Sequence, residues 1–261
     1  MPEPRAVPTQ AGPRDRRPAR ADDLPVAGLT RLSTCDWPGR LVATAFLQGC
    51  PWRCTYCHNT ELLDPRVPGS VPWSTVRDHL GARVGLLDGL VLSGGEPTMH
   101  AALPAAMREV RAAGFGVGLH TGGAYPRRLE EVLGLVDWVG LDIKAPPDLY
   151  PAVTRVGASA RGAFRSLELV LAAGVDVQVR TTVDPTILGP GDVKRLQELV
   201  RDLGVREHVL QTVRTEGTSA EYQEAYAAQR VPGPSHRDVG PTRSPGTRRH
   251  WSGSPVPRAA R

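Results

Sequence analysis

Cys50-Pro-Trp-Arg-Cys54-Thr-Tyr56-Cys57-His58-Asn59 follows an apolar run, Leu41-Val-Ala-Thr-Ala-Phe-Leu47, and a Gln48-Gly49 turn. Three of the four cysteines in the chain fall in this stretch, spaced CxxxCxxC, and the other is Cys35. Thiolates so close together converge on a metal or form disulfides. A structural zinc site closes a tetrahedron of four ligands, for which His58 or Cys35 is available. An iron–sulfur cubane also takes four ligands, so three cysteines leave one iron open to something else. The rest of the chain lacks a second ligand pair of the zinc-finger kind, and the open cluster is the favoured reading.

Outward from this loop, short β-like runs alternate with amphipathic helical patterns, the signature of parallel βαβ units. Strands are expected at Leu41–Leu47, Gly89–Leu92, Gly116–His120, Trp138–Ile143, Val175–Val183 and His208–Val213. Between them Leu103, Ala106, Met107 and Val110 share one helix face, with Pro104 early and Gly114 as a stop. Phe164, Leu167, Val170 and Leu171 repeat the pattern before Gly174, as do Val193, Leu196, Leu199, Val200 and Leu203 before Gly204. Six such units without a dinucleotide fingerprint predict an α/β fold, a partial (β/α)6 TIM-like barrel. Gly114-Phe-Gly116-Val-Gly118 contains a GxG, but it ends a helix and enters a strand, the reverse of a phosphate loop.

In such barrels the chemistry sits on the loops that follow the carboxyl ends of the strands. The cysteine loop follows the first strand, and Ser93-Gly94-Gly95-Glu96-Pro97 follows the second. Glycines there let a ligand approach the backbone, and Glu96 adds an acceptor for an ammonium group. The third strand ends at His120-Thr121-Gly122-Gly123, where Thr121 is either a ligand contact or a cap for the next turn. The fourth ends at Asp142-Ile143-Lys144, whose two charges point to one side of the strand. Arg180 is a charge inside an apolar strand, facing either the site or the edge, and Gln211 lies on the last strand.

CxxxCxxC with an aromatic before its third cysteine, followed by Gly-Gly-Glu-Pro, resembles the radical S-adenosylmethionine superfamily. The resemblance implies that Cys50, Cys54 and Cys57 hold a [4Fe-4S] cluster whose fourth iron binds S-adenosylmethionine. It implies that Gly94, Gly95 and Glu96 hold the methionine amino group, that Asp142 and Lys144 contact the cofactor, and that Tyr56 packs near the adenine. Thr121 matches a Thr-Asn-Gly of glycyl-radical-enzyme activases, although Gly122 departs from the Asn. Gln211 occupies a place where related activases carry a polar cofactor contact, and Arg180, if it faces the site, is a further candidate to hold a carboxylate of the cofactor. Asp36-Trp37-Pro38-Gly39 upstream and Cys57-His58-Asn59 downstream look like activating proteins of anaerobic ribonucleoside-triphosphate reductase, over roughly residues 26–215.

The implied chemistry is reductive cleavage of the cofactor to a 5′-deoxyadenosyl radical, which takes hydrogen from a glycine of a partner enzyme. The implied electron source is a one-electron donor such as flavodoxin or ferredoxin. Two alternatives stay open, a radical enzyme acting on another glycyl-radical protein or a small molecule, and a non-catalytic zinc or iron–sulfur module. Cys35 has no cluster role in this pattern and is expected to be a small, mostly buried thiol.

The 261 residues carry a formal net charge of +5, but the excess lies at the ends. Residues 229–261 hold seven Arg against one Asp, and the span between residues 25 and 228 is slightly acidic. No nucleic-acid partner is inferred from such tails. Residues 1–24 and 229–261 are Pro-, Arg- and Gly-rich with few aliphatics, and are expected to be disordered around a core domain at 25–228. No apolar run approaches the roughly 20 residues of a membrane span, and residues 1–24 lack an apolar signal-peptide core, so a cytoplasmic location is expected.

Overall fold

A computed structural model describes residues 17–229 of the chain. All six expected strands form, within two residues of their expected ends. They are β2 (Val42–Leu47), β3 (Gly89–Gly94), β4 (Gly116–Thr121), β5 (Trp138–Asp142), β6 (Asp176–Val183) and β7 (His208–Thr212). Each pairs in parallel with the next in sequence order, and β1 (Val26–Ser33) adds an antiparallel edge beside β2. The result is an open, sequentially wound sheet, the partial TIM-like barrel, with one strand more than the alternation of apolar runs indicates. β1 escapes the periodicity because its middle residues are half-buried or exposed and its pairing is interrupted by two register shifts.

The helices are α1 (Trp73–Gly81), α2 (Leu103–Ala112), α3 (Pro126–Val132), α4 (Tyr150–Thr154), α5 (Ser159–Ala173), α6 (Pro190–Asp202) and α7 (Ala220–Ala228). The apolar stripe of α2 is fully used, with Leu103, Ala106, Met107 and Val110 all buried. Leu167 and Val170 of α5 and Leu196 and Val200 of α6 do the same, joining Leu90, Leu92, Leu119 and Leu141 from one face of the sheet. Each buried Leu, Val or Met side chain here contributes about 1.5–3 kcal/mol by leaving water. Gly174 ends α5 in the left-handed region at φ +68°, the conformation its position after the stripe calls for.

On the opposite face of the sheet, Gly89, Gly116 and Gly118 leave room for a large side chain. Trp37, from the loop between β1 and β2, lies across that face and stacks on Trp138 at a centroid distance of 5.8 Å. A Cβ at Gly118 would come within 2.9 Å of the Trp37 ring, and one at Gly89 or Gly116 within 3.2 Å. These glycines are therefore the floor on which the indole rests. Trp37 and Trp138 form a second, smaller core with Val42 and Val91.

The main core takes in residues on the N-terminal side of residue 25. Ala21–Asp23 form a 3-10 turn, and Ala21 and Leu24 are buried in the main core. Apolar Ala21 and Leu24 do what the charged residues around them obscure. At the other end α7 finishes at Ala228, next to the expected boundary. Residues 1–16 and 230–261, the remainder of the two tails expected to be disordered, lie outside the described residues.

Candidate active site

The cysteine loop is fastened to three neighbours through its backbone. Gly49 and Cys50 donate to the carbonyls of Leu62 and Leu63 at 2.7 and 3.2 Å. Arg53 and Thr55 donate to Thr154 and Val153 of α4, both at 3.0 Å. From the other side, Gly95 and Glu96 donate to Leu47 and Gly49, both at 2.9 Å. The Gly-Gly-Glu turn is thus bonded directly to the root of the cysteine loop. Both glycines are required sterically: a Cβ on Gly94 would sit 2.2 Å from the Leu47 nitrogen, and one on Gly95 2.0 Å from the Gly49 oxygen. Gly94 also holds φ +109°, which side-chain-bearing residues avoid.

Glu96 is 2% exposed and is held by four donors. Its Oε1 accepts from Thr98 N at 3.1 Å, Thr98 Oγ1 at 2.5 Å and Thr121 Oγ1 at 2.6 Å, while Oε2 accepts from Gly122 N at 2.9 Å. Thr121 thus caps the next turn, its Oγ1 accepting from Gly123 N at 2.9 Å, and the same hydroxyl donates to Glu96. Oε1 takes three of these donors and Oε2 only one, so the acceptor capacity left to spare is on Oε2.

Asp142, Lys144 and Arg180 form one ion-paired group. Arg180 binds Asp142 Oδ1 through Nε at 3.0 Å and Nη2 at 2.9 Å, and Lys144 Nζ lies 3.6 Å from Oδ2. Arg180 faces this site and not the sheet edge. Burial acts to raise the Asp142 pKa, but Arg180 and Lys144 outweigh it and hold the carboxyl below its ordinary value. Lys144 also lies over the rings of Trp52 and Tyr56, at 6.0 and 5.8 Å, which ties the ionic group to the cysteine loop. Tyr56 is buried, and its hydroxyl has no hydrogen-bond partner among the described residues.

His120 continues the polar line along the sheet. Its Nε2 lies 2.7 Å from the Asp36 carbonyl and 3.2 Å from Arg180, and Nδ1 lies 3.3 Å from Ser93 Oγ. Gly140 makes the crossing possible, since a Cβ there would fall 2.9 Å from His120 and 3.0 Å from Arg180. Burial, helped by the Arg180 charge, pushes the His120 pKa down to about 4, so the ring is neutral near pH 7.

Two expected features fall elsewhere. Gln211 is exposed on β7, where its Oε1 accepts from Thr182 at 3.4 Å. Cys35, expected to be mostly buried, is instead exposed, because it sits in the turn where Ser33 Oγ accepts from Cys35 N and Asp36 N. Sequence reasoning also missed Thr98, Asp36 and Ser93 as partners of the site. Their signal was weak, a hydroxyl or carbonyl beside a residue already singled out.

Cys50, Cys54 and Cys57 are free and half-buried. Burial pushes the Cys50 thiol up to about 12 and raises Cys54 and Cys57 as well. Three desolvated thiols on one loop are stable as thiolates only around a cationic centre, so the donor set fits an iron cluster. Among the described residues no three His, Cys, Asp or Glu side chains gather as a single metal ion requires.

A three-thiol loop at the mouth of an open α/β barrel, beside a buried acid and an ionic group on successive strand ends, defines a cofactor-binding enzyme site. Residues 44–203 match the model of the Radical SAM superfamily. A protein of Methanocaldococcus jannaschii, provisionally named a glycyl-radical enzyme activating enzyme, is 30% identical over 186 residues, 68% of this chain and 75% of that one. Pyruvate formate-lyase 1-activating enzyme of Escherichia coli K12 is 30% identical over 188 residues, covering 67% and 74%. Among solved structures, Streptococcus suis SuiB bound to S-adenosylmethionine gives a TM-score of 0.52 at 11% identity, over 69% of this chain and 44% of that one. AdoMet-bound anSMEcpe gives 0.53 at 17%, over 64% and 49%. The chain spans less than half of those two structures, and the likeness to them is one of fold. The chain belongs to the radical SAM superfamily and, within it, to the glycyl-radical enzyme activating enzymes. Membership brings a [4Fe-4S] cluster and S-adenosylmethionine as cofactors.

Proposed function

We propose that the chain installs a glycyl radical on a partner enzyme, using a cluster held by Cys50, Cys54 and Cys57 and S-adenosylmethionine seated against the neighbouring strand ends. The observation that carries this reading is the direct backbone bonding of the Gly95-Glu96 turn to Leu47 and Gly49 at the root of the cysteine loop. When bound, the two groups supply reductive cleavage of a sulfonium and hydrogen-atom abstraction, with flavodoxin or ferredoxin as electron source.

The residues of the chain position and shield this chemistry. The spare acceptor capacity of Glu96 suits the amino group of S-adenosylmethionine, and its four donors keep the carboxylate from turning away. Gly94 and Gly95 leave backbone where a side chain would intrude. Lys144 and Arg180 offer positive charge for a carboxylate, with Asp142 holding both in place. Buried Tyr56, with Lys144 over its ring, lines the same mouth.

The partner assigned is anaerobic ribonucleoside-triphosphate reductase. Support comes from the Asp36-Trp37-Pro38-Gly39 and Cys57-His58-Asn59 elements, which resemble its activating proteins. The test is anaerobic reconstitution with iron and sulfide, reduction, and assay of 5′-deoxyadenosine, followed by electron paramagnetic resonance of the mixture with the reductase. A glycyl radical on the reductase, lost on Cys54→Ala, is the expected result. Cofactor cleavage without a radical on the reductase, but with one on pyruvate formate-lyase, would reassign the partner. Retained cleavage in Cys54→Ala would sink the site.

A further inference from the structure

Asp184 is fully buried immediately after β6, and four donors converge on it. Its Oδ1 accepts from Thr186 N at 2.9 Å, Thr186 Oγ1 at 2.6 Å and Tyr222 Oη at 2.9 Å. Its Oδ2 accepts from Thr55 Oγ1 at 2.7 Å. The bonds to Thr186 close a local turn, as Asp side chains commonly do. The other two are long-range: Thr55 stands between Cys54 and Tyr56 in the cysteine loop, and Tyr222 is the buried residue of α7.

A second contact joins the same two segments. His58 Nδ1 donates to the Glu216 carbonyl at 2.9 Å. Gly217, at φ +82°, passes so close that a Cβ there would lie 3.2 Å from the His58 oxygen. Thr55 and His58 flank Tyr56-Cys57, so this part of the loop is held at both ends by residues 216–222, one end through Asp184. Those residues lie beyond position 203, where the match to the family model stops.

We propose that Asp184 and Tyr222 clasp the cysteine loop, so that helix α7 sets how firmly the three thiols keep their cluster. The proposal rests on the assignment of Cys50, Cys54 and Cys57 as cluster ligands. Asp184 acts as a positioning residue through Thr55. A cluster leaves when a ligand swings away, and groups that orient metal ligands typically change affinity or activity about 10–100-fold when removed. Thr55→Val removes the hydroxyl at nearly constant shape, and Tyr222→Phe removes the bond from the helix side.

The readout is the loss of visible cluster absorbance after excess chelator is added to the full chain, reconstituted anaerobically. Thr55→Val and Tyr222→Phe are expected to lose the cluster about tenfold faster than the wild type, the lower end of that range. Thr55→Ser restores the hydroxyl and is expected to match the wild type. Tyr226→Phe should match it too, being on the same helix with its ring 6.1 Å from Tyr222. Val200→Ala, in the buried face of α6, lowers the melting temperature and serves as the control for stability alone. Wild-type loss rates in both Thr55→Val and Tyr222→Phe, or equal acceleration in Val200→Ala, would overturn the clasp while leaving the ligand assignment intact. A wild-type chain that takes up no cluster would overturn both.

Discussion

Glu96 illustrates how much of the site is decided by single polar atoms. With Oε1 accepting three bonds and Oε2 one, replacing it by Gln leaves no neutral arrangement that suits all four donors. If the Gln oxygen faces the two threonines, its NH2 group meets Gly122 N, donor against donor. Leaving a buried group unmatched in this way costs about 1–3 kcal/mol. The protein without cofactors is therefore expected to melt several degrees lower as Glu96→Gln, at about 2–4 °C per kcal/mol for a domain of this size. Calorimetry of that protein checks it, and an unchanged melting temperature would show that the four bonds do not hold the carboxylate. Gly95→Ala should be more severe, since its Cβ would meet the Gly49 carbonyl carbon at 2.6 Å as well as its oxygen. The chemistry of Glu96 could be read from its place after an apolar strand. Thr98 could not, because a hydroxyl two residues on fits any loop.

The loop from Ser33 to Leu41 is the element whose role was least legible. Asp36-Trp37-Pro38-Gly39 can be noticed in the sequence, but not the surface Trp37 covers, because that surface is made by glycines on two strands far along the chain. In the fold, Trp37 fills the face of the sheet opposite the helices, Asp36 Oδ2 accepts from the buried Thr44 hydroxyl at 2.6 Å, and the Asp36 carbonyl meets His120. The parallel strands were legible for the converse reason: buried between helices and this small core, they read as unbroken apolar runs. β1, at the edge with exposed middle residues, did not. Truncating an aromatic in such a setting costs about 3–5 kcal/mol. Trp37→Ala is expected to lower the melting temperature by roughly 10 °C, and Trp37→Phe by distinctly less. A Trp37→Ala protein that melts within two degrees or so of the wild type would mean that the indole does not seal this face.

At the scale of the molecule, the polar line from Asp36 through His120 and Arg180 to Asp142 makes stability depend on pH in two separate windows. His120 is faced by the Asp36 carbonyl, Ser93, Arg180 and Trp138, with Asp142 behind Arg180. Its pKa is held at about 4 in the fold, against the ordinary 6.5. Between those values the unfolded chain binds a proton that the folded chain does not, so stability rises with pH across that interval and levels off above it. The full difference is up to about 3 kcal/mol, at about 1.4 kcal/mol per pKa unit. Asp142 acts lower on the scale. Its depressed pKa adds stability that is present above the ordinary carboxylate value near about 3.9 and is lost as pH falls through its folded value. His100 and His208, also held down by burial, tilt the upper window the same way, so the slope of the wild type alone does not isolate His120. The difference between the wild type and His120→Asn does. Melting temperatures measured from pH 4 to 8 should climb more steeply in the wild type up to about pH 6.5 and run parallel to the variant above it. Equal slopes in the two proteins would mean that His120 takes up its proton in the fold as readily as in water, and that Arg180 does not stand against it.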